Sequence, residues 1–232
     1  MEEIKTAVIL AGGLGTRLKA VVPNLPKPMA PINGRPFLEH LMDYWIDQGI
    51  KKFILSVCYK KEIIAARFRT TYCDADIEYA YESEPLGTGG GMLLAANCLE
   101  NPFLLLNGDT FFEVNLKILS NFHDKSNSDF TFSLFKADLD YRYGGVEIDL
   151  HDGRVKNLIE KCKIGGYSNG GVYIINPKII KKYQLQKYYS LEMGIIRNLL
   201  ESNNKLFGLI FESKFIDIGV PFDYYRAQEI LL

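Results

Sequence analysis

The first half of the chain alternates short apolar runs with segments of helical periodicity, and this alternation restricts the folds that the chain can adopt. The apolar runs have the length of buried strands, and the segments between them repeat their apolar residues at helical spacing. Strands that alternate with helices in this way predict a parallel, Rossmann-like sheet. The predicted strands are 6–10, 52–57, 76–81 and 102–107, and the predicted helices are about 35–49, 61–70 and 88–98.

The second half of the chain has a different pattern, in which strands predominate. A hairpin is predicted across His151-Asp152-Gly153, between two runs of strand character. The fold class predicted for the whole chain is α/β: a Rossmann-like three-layer sandwich with a mixed, mainly parallel central sheet and a small β-rich lobe. The strands predicted here are near 129–136, 145–150, 154–160, 170–176 and 205–211, and the helices are near 115–124, 177–183, 190–201 and from about 221.

The composition argues for a compact protein and against large polyanionic partners. At 232 residues and 47% hydrophobic content, the chain can bury a full core as a single domain. A formal net charge of −1 argues against the concentrated basic face that nucleic acid or an anionic membrane requires. No apolar run approaches the ~18 residues that span a bilayer, and residues 1–5 lack the pattern of a secretory signal. We therefore expect no nucleic-acid or membrane partner and a cytoplasmic location.

The first predicted strand runs directly into a glycine-rich loop, Gly12-Gly13-Leu14-Gly15, which is suited to binding phosphate. Glycine lets the backbone approach a ligand closely, so that successive N–H groups face phosphate oxygens. Arg17 and Lys27 would supply neutralising charge, and a proline on each side restricts the backbone around Lys27. The residues expected to contact a nucleotide here are Leu10, Ala11, Gly12 and Gly13.

Two familiar phosphate-binding motifs do not match this loop. A P-loop would continue with Gly-Lys-Ser or Gly-Lys-Thr, and a dinucleotide-binding fingerprint would have its third glycine at the position of Leu18. A P-loop kinase and a nucleotide-binding oxidoreductase are therefore disfavoured. Taken alone, the glycines would also fit a tight turn that packs a helix against the sheet.

Three candidate ligand contacts follow directly after predicted strand ends: Gly12-Gly13, Gly87 and Asp109. Ligands gather at the carboxyl ends of the strands in parallel sheets, so we expect these residues to lie at one edge. Taken alone, Asp109 could equally be a turn residue or a helix cap. Asp217 could simply end a strand or pair with a nearby lysine.

Beyond the glycine-rich loop, short motifs extend along nearly the whole chain. They begin with Thr16-Arg17-Leu18 and Pro26-Lys27-Pro28-Met29-Ala30-Pro31-Ile32. The later motifs lie at 84–90, 106–110, 143–146, 159–161, 168–173, 190–192 and 215–219. In this order, the motifs resemble those of the sugar-1-phosphate nucleotidyltransferases.

This resemblance implies an enzyme that joins a nucleoside triphosphate to a sugar 1-phosphate and releases pyrophosphate. Two polyanions must then be brought together, so cations are expected around the reacting phosphates. The resemblance implies Mg²⁺ as the cofactor, bound by Asp109 and Asp217. It implies catalytic roles for Arg17, Lys27, Asp109 and Lys161.

The resemblance also implies one nucleotidyltransferase domain, 1–232, whose two parts bind different substrates. Residues about 1–125 would form the nucleotide-binding part, and residues about 126–232 would form the sugar-binding part, which carries the second metal aspartate. In this second part, a carboxylate would receive sugar hydroxyls and the lysine next to it would hold the sugar phosphate. The residues implied for sugar binding are Gly145, Glu160, Lys161 and Asn169.

The acidic segment 78–84, which runs into the glycine-rich motif at 84–90, favours guanine as the base. Guanine presents N–H donors that suit a carboxylate such as Glu82 or Glu84, whereas uracil or thymine is commonly met by an amide. Residues 78–84 contain carboxylates and no glutamine, which favours GTP. The nucleotide contacts expected in this region are Glu82, Pro85, Gly87 and Thr88.

Within the family, the chain looks most like the guanylyltransferases of D-glycero-α-D-manno-heptose 1-phosphate, which implies GDP-heptose as the product, for surface-polysaccharide biosynthesis. Mannose 1-phosphate is the nearest alternative sugar, and uridylyl or thymidylyl transfer is the alternative for the base. A non-catalytic nucleotide-sugar-binding regulator on the same fold is the alternative from another class. The expected partners are the small-molecule substrates, GTP and the sugar 1-phosphate, together with a possible homodimer.

Overall fold

The computed structural model describes residues 3–138, 142–185 and 188–231. The strands are β1 (Thr6–Leu10), β2 (Pro31–Ile32), β3 (Arg35–Pro36), β4 (Lys52–Val57), β5 (Thr71–Tyr72), β6 (Ala75–Tyr81), β7 (Phe103–Asn107), β8 (Thr110–Phe112), β9 (Phe130–Lys136), β10 (Gly145–Ile148), β11 (Val155–Ile159), β12 (Tyr167–Ile175), β13 (Leu206–Ile210) and β14 (Phe215–Asp217). The α-helices are α1 (Phe37–Asp47), α2 (Lys61–Phe68), α3 (Gly87–Ala95), α4 (Leu116–Lys125), α5 (Arg197–Glu201) and α6 (Pro221–Ile230). Short 3₁₀ helices occupy Thr16–Leu18, Lys27–Met29 and Pro177–Ile179, and a π-helix occupies Leu191–Ile196.

A mixed sheet of ten strands forms the centre of the described part of the chain. Its strands run in the order β11-β10-β12-β7-β1-β4-β6-β5, and β9 pairs with both β12 and β13. Strands β7, β1, β4 and β6 are parallel neighbours, as the alternation of strands and helices predicts. Strand β12 runs antiparallel to β7 and joins the strands of the second half to this parallel centre. The predicted fold class is therefore confirmed.

Helices cover both faces of the sheet, which makes three layers. Successive residues of a strand face opposite sides, so Ile9 of β1 packs in one core with Trp45 of α1, while Val8 packs in the other with Met92 of α3. Residues of α2, α4 and α6 join the first core, and residues of the π-helix and α5 join the second. Burial on both faces explains why the central strands are continuous apolar runs. Within the described ranges, each helix is too short or too polar to cross a membrane.

Two three-residue strands that the sequence pattern does not predict bring distant parts of the chain together. Strand β8 follows closely after β7, and β14 pairs with it antiparallel, so that Asp217 lies opposite Thr110. The Ile218 N–H donates to the Asp109 C=O at 3.0 Å, which extends this pairing. Strands of this length carry too few residues for an alternation to be recognised.

The other predicted elements occur close to their predicted bounds, with two differences in the second half. The prediction of a helix near 177–183 is wrong beyond Ile179, because Pro177–Ile179 forms only a 3₁₀ turn. The Asn176 side chain accepts a hydrogen bond from the Lys178 N–H at its start. The helix predicted at 190–201 begins as a π-helix and continues as α5. The predicted hairpin is confirmed by the antiparallel pairing of β10 with β11.

Buried His123 predicts a pH dependence of stability. Burial lowers the pKa of His123 to about 4, and its Nδ1 lies 2.8 Å from the Thr131 hydroxyl. The unfolded chain, with an ordinary histidine pKa of about 6.5, therefore binds this proton at a higher pH than the native protein. Stability due to neutral His123 should be fully present above pH ~6.5 and fall by up to about 3 kcal/mol as the pH approaches 4.

Urea unfolding of wild type and His123→Asn across this pH range measures the effect. The variant should show a shallower fall in the free energy of unfolding between pH 6.5 and 4. His151→Asn is the matched control, because His151 is exposed in the β10–β11 turn, and it should keep the wild-type slope. Identical slopes for wild type and His123→Asn would contradict the assignment.

Candidate active site

A first cleft of about 450 Å³ opens where the parallel strands β1 and β7 end. It brings together the glycine-rich loop after β1, the loop before α3 and the turn after β7. The predicted residues that line it are Leu10, Gly12, Gly13, Arg17, Lys27, Glu82, Pro85, Gly87, Thr88 and Asp109. Ala11 lies behind this lining, because its side chain is buried and its N–H donates to the Ser56 C=O at 2.8 Å.

Glu82 is a buried carboxylate in the wall of this first cleft. The Ser56 hydroxyl donates to its Oε1 at 2.8 Å, and the Leu86 N–H donates to its Oε2 at 2.9 Å. A side chain at Gly12 would collide with the carboxylate, because an added Cβ would lie 2.7 Å from Oε1. Glu82 therefore holds the loop before α3 against the glycine-rich loop while facing the cleft.

A second segment of the chain fastens the first turn of α3, which contains Gly87 and Thr88. The N–H groups of Gly89 and Gly90 donate to the Tyr189 C=O at 2.8 and 3.2 Å, and the Leu191 N–H donates to the Thr88 hydroxyl at 2.9 Å. Gly87 has a φ of 74°, and an added Cβ there would lie 2.7 Å from the same Tyr189 oxygen. The position therefore requires glycine both for its backbone conformation and for this close approach.

Lys27 joins the two predicted metal ligands. Its ammonium lies 2.5 Å from Asp109 Oδ2 and 3.5 Å from Asp217 Oδ1, and the side chain is only 8% exposed. The 3₁₀ turn that begins at Lys27 holds it in place, and the Gly219 N–H donates to Asp217 Oδ1 at 2.6 Å. The structure thus brings Asp109, Asp217 and Lys27 together, as the sequence motifs lead one to expect, while their roles remain a prediction.

The two aspartates form a donor set that fits Mg²⁺. Magnesium prefers oxygen ligands and commonly binds through one or two carboxylates, with waters and substrate phosphates completing its octahedron. No group of three or more metal-ligating side chains occurs among the described residues, and an ion held in part by substrate phosphates does not require one. The Lys27 ammonium lies within 4 Å of both carboxylates, so the two carboxylates face the same position.

A second cleft, of about 540 Å³, adjoins the first. The two share three lining residues, Arg17, Asn107 and Asp109, so they meet at one of the predicted metal ligands, while Asp217 lines the second cleft. The second cleft has aromatic walls formed by Phe132, Tyr143 and Phe215. Its polar lining includes predicted sugar-binding residues Glu160 and Asn169, and Gly145 contributes backbone.

Hydrogen bonds to both the nitrogen and the oxygen of its side-chain amide fix the orientation of Asn169. Its Nδ2 donates to the Tyr173 hydroxyl at 2.6 Å, and its Oδ1 accepts from the Gly171 N–H at 3.1 Å. Burial raises the pKa of Tyr173, so this phenol stays protonated. The amide therefore faces the cleft in a defined orientation.

The structure leaves two predicted residues, Ala11 and Lys161, out of the lining of both clefts and adds several others. Lys161 follows Glu160 in the chain but is exposed and lines neither cleft. Tyr188 lines the first cleft without having been predicted. Asn107, Glu192, Met193 and Arg197 line the second cleft. Glu192 belongs to the motif at 190–192, so sequence could have indicated it, whereas nothing in the pattern singles out Tyr188 or Arg197.

Comparisons with known proteins show which family the chain is similar to. The family model described as nucleotidyl transferase matches residues 6–232. A D-glycero-alpha-D-manno-heptose 1-phosphate guanylyltransferase of Campylobacter jejuni is 41% identical over 221 residues, covering 95% of this chain and 97% of that protein. Another, from Aneurinibacillus thermoaerophilus, is 41% identical over 228 residues, covering 97% of each. The crystal structure of HddC from Yersinia pseudotuberculosis complexed with GMP-PN has a TM-score of 0.85 at 39% identity and covers 99% of this chain and 100% of that one.

These matches span nearly the whole chain at substantial identity. The chain therefore belongs to the nucleotidyl transferase family. Its relatives named above are guanylyltransferases by name or were crystallised with a nucleotide analogue.

A substitution at Gly108 tests how closely the ends of β1 and β7 must approach each other next to Asp109. An added Cβ at Gly108 would lie 2.5 Å from the Leu10 C=O, a backbone atom that cannot rotate away. We expect Gly108→Ala to lower the free energy of unfolding by about 1–3 kcal/mol and to reduce turnover by displacing Asp109. Urea unfolding and pyrophosphate release would measure the two effects.

Gly13→Ala is the matched control for stability, because an added Cβ at Gly13 meets nothing within 4 Å. The urea midpoint of unfolding of Gly13→Ala should equal that of wild type or be slightly higher. Wild-type stability and turnover in Gly108→Ala would contradict the close approach of β1 and β7.

Proposed function

We propose that this protein is a guanylyltransferase that joins GTP to D-glycero-α-D-manno-heptose 1-phosphate, with GDP-heptose and pyrophosphate as products. The observation that carries the proposal is the meeting of two clefts at Arg17, Asn107 and Asp109. A nucleotide in the first cleft and a sugar 1-phosphate in the second would have their phosphates at this junction. The names of the relatives at 41% identity support the choice of base and sugar.

The reaction needs two anions held in line. A phosphate oxygen of the sugar 1-phosphate forms a bond to the α-phosphorus of GTP, and the bond to the departing pyrophosphate breaks. Positioning and charge neutralisation account for most of the catalysis in such phosphoryl-transfer chemistry. Arg17 lines both clefts and is placed to neutralise phosphates from either substrate. Lys27 contributes a second positive charge from the floor of the first cleft.

Asp109 and Asp217 would hold Mg²⁺ in this proposal. The bound ion would supply positive charge at the phosphates and would help to align them. Lys27 lies beside both carboxylates and keeps them together. The Gly219 N–H and the β8–β14 pairing fix the direction in which Asp217 points.

The remaining predicted residues would bind the base and the sugar. Glu82 and the loop of Pro85, Gly87 and Thr88 would contact guanine; each Glu82 oxygen already accepts one hydrogen bond and retains capacity for another. Across the junction, the sugar-binding contacts would be Gly145, Glu160, Lys161 and Asn169. Lys161 would reach the sugar phosphate from its exposed position after β11.

The division into a nucleotide-binding part, 1–125, and a sugar-binding part, 126–232, belongs to the same proposal. It is supported by the first cleft, lined mostly by residues of the first part, and by the second cleft, lined mostly by residues of the second. A cytoplasmic location and a homodimer are retained as expectations from sequence. Mannose 1-phosphate remains the alternative sugar, since it shares the manno ring.

A pyrophosphate-release panel with Mg²⁺ tests the function. It crosses GTP, UTP, dTTP, CTP and ATP with the 1-phosphates of heptose, mannose and glucose. We expect the highest kcat/KM for GTP with heptose 1-phosphate. A preference for another pair would refute the base or sugar assignment, and no release with any pair would favour a nucleotide-sugar-binding regulator.

Asp109→Asn and Asp217→Asn test the metal site. Each change keeps the shape of the side chain but removes the charge that binds the cation, so we expect a loss of turnover of at least about 100-fold. Asp152→Asn, in the exposed β10–β11 turn, is the control and should keep wild-type turnover. Near-normal turnover in either active-site variant would refute the assignment, and unchanged thermal unfolding would show that the fold is intact.

A further inference from the structure

Tyr188 is an aromatic residue of the first cleft to which neither the sequence motifs nor the proposed mechanism gives a role. Its side chain lines the cleft and is 68% exposed. Its hydroxyl has no hydrogen-bond partner among the described residues. A single exposed aromatic ring is common on protein surfaces and often has no function. The contacts of Tyr188 and its place in the cleft therefore decide whether it has one.

The ring of Tyr188 rests on the backbone of Gly87. A Cβ added to Gly87 would lie 3.1 Å from Cε2 and 3.2 Å from Cζ of Tyr188, so the hydroxyl end of the ring covers the place that a side chain would take. The next residue fastens the backbone at this contact. The Tyr189 N–H donates to the Leu86 C=O at 2.8 Å, and the Tyr189 C=O accepts from N–H groups of α3. Packing against the start of α3 thus positions the ring.

Leu86 connects the segment of Tyr188 with the carboxylate that would recognise the base. The Leu86 N–H donates to Glu82 Oε2 at 2.9 Å, and the Leu86 C=O accepts from the Tyr189 N–H at 2.8 Å. A single residue therefore bridges Glu82 and the backbone next to Tyr188. These contacts involve none of the cations that would neutralise the phosphates. A base bound at Glu82 would accordingly lie close to the Tyr188 ring.

We propose that Tyr188 is a nucleotide-binding residue whose ring packs against the guanine of GTP. This inference rests on the proposed function, because it assumes guanine at Glu82. Stacking uses the π-face of a base, whereas hydrogen bonds to Glu82 use its edge, so the two residues contact different surfaces of the same base. A base packed on the ring also removes from water an apolar surface that is otherwise exposed.

Two variants of Tyr188 separate the ring from the hydroxyl. Tyr188→Leu keeps an apolar side chain but removes the π-face, and Tyr188→Phe keeps the ring but removes the hydroxyl. Tyr225→Leu is the matched control, because Tyr225 is 60% exposed in α6 and lines neither cleft. Thermal unfolding of the three variants shows whether each fold is intact.

The test measures binding by calorimetric titration with Mg²⁺ and without a sugar 1-phosphate. Three ligands separate the parts of the nucleotide. GTP is the complete ligand, ITP lacks the 2-amino group at the edge of the base, and ribose 5-triphosphate lacks the base altogether. Each is titrated into wild type and into the three variants, and the dissociation constants are compared.

We expect Tyr188→Leu to raise the Kd of GTP by about 5- to 20-fold, at the lower end of the loss for one base–aromatic stack because leucine keeps an apolar contact. The Kd of ITP should rise by the same factor, since its base differs only at the edge. Ribose 5-triphosphate should bind Tyr188→Leu and wild type equally. Tyr188→Phe should recover most of the lost affinity for GTP, and Tyr225→Leu should bind as wild type.

Three other results would overturn the assignment. An equal loss for ribose 5-triphosphate would place the ring against the ribose or the phosphates, and an unchanged Kd in Tyr188→Leu would mean that the ring is merely solvated. A loss in Tyr188→Phe as large as in Tyr188→Leu would assign the effect to the hydroxyl. Pyrophosphate release by wild type tests the proposed function separately. A wild type that binds GTP but releases no pyrophosphate refutes that function, while the titrations still decide the role of Tyr188.

Discussion

The active-site arrangement depends on the ammonium of Lys27 and the two carboxylates that it joins. Burying an ammonium at 8% exposure is unfavourable unless it is paired, and Asp109 and Asp217 provide that pairing at 2.5 and 3.5 Å. Lys27 begins the 3₁₀ turn Lys27–Met29, Asp109 lies in the β7–β8 turn and Asp217 ends β14. One electrostatic contact therefore holds together three segments that are far apart in sequence.

This contact also explains why a divalent cation belongs to the proposed mechanism. Arg17 and Lys27 together carry as much positive charge as Asp109 and Asp217 carry negative charge, so these four residues leave no surplus to attract two polyanionic substrates. A Mg²⁺ ion on the carboxylates would restore a positive site at the junction of the clefts.

The central parallel sheet and the gathering of the nucleotide-side candidates at one cleft could be predicted because both depend on local signals. Continuous apolar runs mark the buried strands, and the glycines at the ends of β1 and before α3 mark close backbone approaches. The pairing of β8 with β14 could not be predicted from the sequence, because each strand has only three residues and the two strands are far apart in the chain. Tyr188 and Arg197 were missed for a related reason: their place in the clefts depends on how a distant segment packs, and the residue types alone resemble ordinary surface positions.

The distant segment, residues 188–197, contributes lining residues to both clefts. The Tyr189 C=O accepts from N–H groups at the start of α3, and the Leu191 N–H donates to the Thr88 hydroxyl. The π-helix that starts at Leu191 then places Glu192 in the lining of the second cleft. The Glu192 carboxylate remains within 3.5 Å of the Thr88 hydroxyl, so it touches the loop of one cleft while lining the other. A sugar that moved this helix would therefore also move the base-side loop, and a base that tightened the loop would narrow the space for the sugar. In the proposed function, recognition of base and sugar would therefore be coupled through this short segment, because its residues line both clefts.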